Sequence, residues 1–187
     1  MSKNDIIITL FTIIYGLMFA DLFLSFHKLI RAIKIVKWHW LPLLSAWYLF
    51  LTILNNWWGL SSAQNSTGSI SIYLFIAHGH LLLLTFLLVS TALPDQIDKS
   101  GIDLKIYYFK NHRYFWGLMS SVVIISILIN FFKQFHRLGP LNILFTFLTV
   151  SILPILTITL AISKRYWVHA TIVIILVIGI ILEIFIR

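Results

Sequence analysis

The stretch SISIYLFIAHGHLLLLTFLLVSTALP, residues 69–94, settles the fold class. It contains no acid, lysine or arginine. A helix needs about 20 predominantly apolar residues to cross roughly 30 Å of hydrocarbon, and this run is long enough. Its apolar residues are continuous rather than alternating, which favours a helix over a membrane strand. Two histidines, His78 and His80, interrupt it, and titratable rings in such a setting need a reason.

Working outward, the quoted run supplies a span over about 69–93. Five more stretches share its character: about 6–27, 40–60, 114–132, 141–162 and 167–186. Of the 187 residues 60% are hydrophobic and only 11% charged, against about 25% charged in a soluble domain. So few charges cannot cover a water-facing surface, and lipid must surround most of the chain. Lipid satisfies no backbone polar group, which leaves helices or closed barrels. The expected fold is all-α: a polytopic transmembrane helical bundle of about six spans, one transmembrane domain over 1–187, integral to the cell (inner) membrane. The N-terminus, MSKNDIIITL, has one lysine followed by Asp5 and no small-residue cleavage site, so it reads as a retained first span.

The formal charge is +8, but the cations lie in loops between apolar spans. That is the pattern that orients membrane proteins, and no nucleic-acid partner is expected. Lys28, Arg31, Lys34 and Lys37 follow span one. Lys99, Lys105, Lys110 and Arg113 follow span three, and Lys164 and Arg165 follow span five. Ten of the 14 cations thus share one side. Basic loops stay in the cytoplasm, which places both termini outside. Trp38, Trp40, Tyr107, Tyr108, Tyr114, Trp116, Tyr166 and Trp167 fall at the inner boundary, and Trp57 and Trp58 at the outer one. The uncharged loop 61–69 suits the outer side. The two three-span halves have the parity of an inverted repeat, although a shared GLM at 16–18 and 117–119 is their one visible similarity.

Between spans three and four lies PDQIDKSGIDLKIYYFKNHRYFW, residues 94–116. Pro94 ends span three and Gly101 interrupts the segment. From Asp103 onward a helix can run into span four, and the mix of Ile102, Ile106, Tyr107 and Phe109 with Lys105, Lys110, His112 and Arg113 predicts a short interfacial helix before that span. Lys105, Lys110, Arg113, Tyr107 and Tyr108 are the candidates for contact with anionic lipid headgroups at the inner face, or with a partner. This segment resembles the middle of a widespread group of small bacterial polytopic membrane proteins. The shared features are Pro94 with Asp95, then Asp103, Leu104 and Lys105, the aromatics Tyr107, Tyr108 and Phe109, the basic Lys110 and Arg113, and Tyr114, Phe115 and Trp116. The resemblance also touches YGLMFADLF in span one and covers about a third of the chain. It implies a membrane topology and no particular chemistry.

Ionisable groups inside a bilayer are costly, about 2.5–3.5 kcal/mol each on insertion scales, and mark functional candidates. Asp21 lies near the inner end of span one, with Ser25 and Lys28 on its helical face. It is either a proton or cation site, or a structural acid paired with Lys28 or a hydroxyl. Glu183 has Arg187 at i+4, the spacing of a local helix pair. His78 and His80 are two residues apart, about 200° around a helix, and cannot share a metal. His78 falls on the face of Ser71 and Thr85, His80 on that of Tyr73, and both stripes are expected to be buried against other helices. They read as cross-helix hydrogen-bonded imidazoles or as a titrating relay. Asn55 and Asn56 toward the outer side either pack across helices or line a vestibule. Span five carries hydroxyls and Pro154, which removes a backbone donor.

By depth, Asp21 is inner, His78 and His80 central, and Asn55 and Asn56 outer, an order that permits a water-filled path. The functional expectation is a small channel or transporter, proton- or cation-linked, in a homo-oligomer. The rival is a sensor or interaction subunit acting through 94–116. No cysteine occurs, which excludes thiolate zinc sites and cysteine nucleophiles. No HExxH, GxSxG, phosphate loop or acid pair is present, so no enzyme, metal or cofactor is expected.

Overall fold

A computed structural model describes residues 3–63, 71–134 and 140–186, with side chains over 4–59, 71–131 and 150–186. The outer loop 61–69 beyond Ala63, the side chains of Lys133, His136, Arg137, Thr146 and Thr149, and Arg187 lie outside the described residues. The described residues form six helices: α1 (Lys3–Arg31), α2 (Trp40–Ala63), α3 (Ile72–Ala92), α4 (Leu104–Gln134), α5 (Pro140–Ile162) and α6 (Tyr166–Ile186). Four of them, α1, α3, α4 and α6, are long and apolar enough to cross a membrane. The 24-residue α2 has the length, but the Asn55–Asn56 pair and its tryptophans make it more polar.

The helices form a ring in which α1 packs on α3, α3 on α4, α4 on α5, α5 on α6, α6 on α2, and α2 back on α1, with α2 also reaching α3 and α4. Direction follows from the contacts. Phe11 stacks on Phe75 with ring centroids 5.9 Å apart, and further along Ser25 reaches Asp95 just past α3, so α1 and α3 run parallel. Helices α2 and α6 are also parallel and are pinned twice. The Trp40 indole N–H donates to the Tyr166 hydroxyl at 3.0 Å, and about four turns of helix away from Trp40, at about 3.6 residues each, Asn55 Nδ2 donates to Glu183 Oε1 at 3.2 Å. The two halves do not repeat each other's packing: among the described residues α1 lies along α3, whereas α4 meets α6 around Tyr108 and His169.

The three basic loops meet at one end. There the α1–α2 connection supplies β1 (Val36–Lys37) and the α3–α4 connection supplies β2 (Ile102–Asp103), paired in parallel with Val36 opposite Ile102. Gly101 makes this clasp feasible. Its φ is +86°, a region open to glycine, and a Cβ there would overlap the Ile35 carbonyl oxygen. That carbonyl accepts from the Ile102 amide at 3.2 Å. Asp103 then caps α4, its Oδ1 accepting from the amides of Lys105 (3.0 Å) and Ile106 (3.1 Å).

This corrects the expectation of a separate interfacial helix before span four. Because Asp103 is the cap and no breaker follows, the basic-aromatic segment forms the first turns of one continuous 31-residue helix. The aromatic belt is real only in part. Trp38, Trp40, Tyr114, Tyr166 and Trp167 are exposed at the basic end and Trp57 and Trp58 at the other, whereas Tyr108 and Trp116 are buried.

Candidate functional site

Hydroxyls in this bundle mostly satisfy themselves. Ser45, Thr52, Thr85, Ser120, Ser121, Thr157 and Thr159 each donate to a carbonyl one turn earlier on their own helix. Among the described residues, polar groups that join different helices away from the basic end are few, and two groups of them extend into the interior.

The first is a cavity of about 640 Å³ between α2, α4, α5 and α6, in the half of the bundle away from the basic loops. Its polar lining is Thr52, Asn55, Asn56, Ser126, Asn130 and Glu183, against walls of Val122, Leu153, Leu156 and Ile180. Asn56, Asn130 and Glu183 are exposed at its rim near the helix ends, and Tyr48 is buried at its floor. Asn55 ties the Glu183 carboxylate to α2. Arg187, the partner that spacing suggests for Glu183, lies outside the described residues. The asparagines thus line this cavity, Asn55 also bonding across helices, and Glu183 lies with them.

The second is a chain of buried rings beneath that floor. Tyr48 stacks on Trp116 with centroids 6.5 Å apart. Trp116 Nε1 donates to the Tyr108 hydroxyl at 2.8 Å, Tyr108 meets His169 Nδ1 at 2.9 Å, and His169 Nε2 meets the Ser163 carbonyl at 2.9 Å. Directions follow from chemistry. A carbonyl can only accept, so Nε2 of His169 carries the proton. In the neutral ring Nδ1 is then bare and accepts from the Tyr108 O–H, whose oxygen accepts from Trp116. His169 and Trp116 are wholly buried and Tyr108 nearly so. His112 packs edge-on to His169, centroids 5.3 Å apart, and its Nδ1 donates to the Phe109 carbonyl at 2.6 Å. Its Nε2 is the one buried side-chain polar atom without a partner among the described residues.

Several expected site residues lie elsewhere. Asp21 is half-buried and feels the Lys28 charge, but the direct contacts of Ser25 and Lys28 are not to it. They turn to Asp95 beyond the end of α3, at 2.8 Å and 4.0 Å. His78 is half-buried against Phe11, centroids 6.4 Å apart, and its Nδ1 donates to the Leu74 carbonyl of its own helix at 2.7 Å. His80 is exposed, contrary to the expectation of burial, and its Nδ1 donates to the Ile76 carbonyl at 2.8 Å. The reason is geometric: α1 and α4 cover two faces of α3, and the 200° between the rings turns His80 away from both. The expected path through Asp21, His78, His80, Asn55 and Asn56 is therefore not continuous. The first three belong to the α1–α3 side and the asparagines to the α2–α4–α5–α6 cavity.

The headgroup candidates divide in the same way. Lys105, Lys110 and Arg113 are exposed, Lys105 lying 5.1 Å over the Tyr166 ring. Tyr107 turns inward and donates to the Thr91 carbonyl at 3.2 Å, and Tyr108 is buried, so neither reaches headgroups. In the adjoining loop His39 Nδ1 accepts from the Leu41 amide at 3.3 Å and so caps α2. Burial first, then the nearby Lys105 charge, lowers the His39 pKa against the opposing pull of Asp103. Among the described residues no group of three or more metal-ligating side chains converges.

No protein-family model, curated protein or solved structure matches this chain.

Proposed function

We propose that this chain is a six-span protein of the cell (inner) membrane, both termini outside, acting as a small cation- or proton-linked channel or transporter. The observation that carries the reading is the Glu183 carboxylate at the rim of an approximately 640 Å³ cavity among four helices. A volume of this size suits a ligand site, typically about 300–1,000 Å³. A carboxylate near the hydrocarbon is stabilised by a cation entering beside it, and the amides of Asn55, Asn56 and Asn130 can replace part of the hydration such a cation loses. Positive loops at the opposite end place the mouth on the outer face. The inner gate in this reading is the ring chain from Tyr48 to His169. It fills the space below the cavity with stacked and hydrogen-bonded groups that must separate for passage.

Reconstitution in liposomes tests this. Wild-type protein should pass monovalent cations or protons, and Glu183→Gln should remove most of that flux while the protein remains folded. Absence of flux from folded wild-type protein, or full flux from Glu183→Gln, would overturn it.

One observation favours a second reading, a non-transporting sensor or interaction subunit. Ile106, Lys110, Arg113 and Tyr114 share one exposed face of α4, an apolar-basic mixture suited to anionic headgroups at the inner boundary. That reading predicts no flux, and loss of binding to vesicles rich in anionic lipid on replacing Lys110 and Arg113 together.

A further inference from the structure

His80 is an exposed imidazole close to the middle of α3, a helix long and apolar enough to cross a membrane. Around it the outward face is Tyr73, Ile76, Leu83 and Leu87, at 81%, 49%, 59% and 38% exposure. Among the described residues no second polar group lies at its depth on that face. Gly79 beside it leaves a notch into which no neighbouring helix of the described residues reaches within 4 Å of a built Cβ. With Nδ1–H committed to the Ile76 carbonyl, Nε2 is a bare acceptor directed to surroundings that offer no donor. Acyl chains leave that group unsatisfied, which is why polar side chains in such places mark helix–helix contacts.

We infer that this face of α3 is the contact between two copies of the chain, with His80 paired to His80 across a two-fold axis along the membrane normal. Such an axis places each residue opposite its own copy at equal depth. Charged side chains repel their own copies, but a neutral imidazole, like an amide, carries both a donor and an acceptor and can pair with itself. One ring shifts its proton to Nε2 and donates to the bare Nε2 of the other. The Nδ1–H bond of that ring is given up in exchange, so the pair leaves one bare ring nitrogen where two separate chains leave two, and the released Ile76 carbonyl retains its ordinary bond from the amide of residue 80. The spacing 73, 76, 80, 83, 87 is the alternating three-four seam of a parallel helix pair. The notch at Gly79 lets the neighbouring backbone approach.

The chain contains no cysteine, so single cysteines report on this seam without background. In native membranes under mild oxidation, Ile76→Cys and Leu83→Cys should form disulfide-linked dimers. Leu24→Cys on α1 and Ile178→Cys on α6, both lipid-facing at 57% and 51% exposure, should not. In the Leu83→Cys background, His80→Leu should lower the association constant about threefold to tenfold, the size of one interhelical hydrogen bond in lipid. His80→Gln, which restores a donor and an acceptor, should recover it. Because His80 faces outward, none of these changes disturbs the fold, and unchanged thermal stability in detergent at low protein concentration confirms that. Equal cross-linking from α1 and α6, full cross-linking with His80→Leu, or cross-links only to other proteins would each overturn the proposal.

Discussion

Replacing Tyr108 by Phe removes one oxygen and leaves two buried groups in need of partners. In the intact protein that oxygen accepts from Trp116 Nε1 at 2.8 Å and donates to His169 Nδ1 at 2.9 Å. Both partners are fully buried, so no solvent replaces it. Orphaning a buried donor or acceptor costs about 1–3 kcal/mol in soluble proteins. Hydrogen bonds between membrane helices average only about 0.6 kcal/mol, because the unfolded state in lipid also finds partners. Two bonds lost together should therefore cost about 1–3 kcal/mol. For a chain of this length that is roughly 2–10 °C in the thermal midpoint. Thermal unfolding in detergent, monitored by tryptophan fluorescence and circular dichroism, reads the change. A cycle with Trp116→Phe separates bond from bulk: with no indole N–H to orphan, Tyr108→Phe should cost at least about 0.5 kcal/mol less. Stability within about 0.3 kcal/mol of wild type for Tyr108→Phe, with additive behaviour in the cycle, would refute the assigned hydrogen-bond directions.

Two further predictions concern the basic end. Gly101→Ala should destabilise by about 1–3 kcal/mol through its positive φ alone, and more through overlap with the Ile35 carbonyl. Protease should then cut between residues 93 and 103 faster than in wild type. His39 makes stability pH-dependent with a definite sign. Its folded pKa lies below the ordinary value of 6.5, so the unfolded chain binds the proton more readily. The neutral-ring cap on Leu41 is fully present above pH 6.5 and is lost as pH falls through the window below it. Unfolding midpoints between pH 5 and 7.5 should show this fall, and Lys105→Ala should shrink it by removing the second cause of the shift.

Helix placement was legible because hydrocarbon imposes length and continuity. The stretches 40–60, 69–93 and 167–186 match α2, α3 and α6 within about three residues. Span four was misjudged because hydropathy locates the apolar part of a helix, while Asp103 as a cap starts it ten residues earlier. The clasp of Gly101 on Ile35 joins positions 66 apart and left no local signature beyond the glycine itself. The site divides in the same manner. Asn55 and Asn56 were found because amides stand out in an apolar span. Glu183 was assigned to Arg187 on spacing, a pair that lies outside the described residues, and parallel packing of α2 on α6 brings it Asn55 as well, which spacing along one helix cannot show. Tyr108 and Trp116 read as boundary aromatics, since a ring near a helix end looks the same whether it faces lipid or the interior. His80 is the converse: the 200° offset from His78 was visible, but which ring faced outward depended on where α1 and α4 would lie.

A cavity wet from the outer side and closed inward by the ring chain can be tested directly, because the chain contains no cysteine. Single cysteines at Asn56, Ser126, Ser45 and Ser163 can be challenged in intact cells and in inverted vesicles with a membrane-impermeant thiol reagent. Asn56→Cys and Ser126→Cys should be labelled from outside only, Ser163→Cys from inside only, and Ser45→Cys, below Trp116, from neither. Labelling of Ser126→Cys from the basic-loop side, or no labelling of either cavity position, would contradict it.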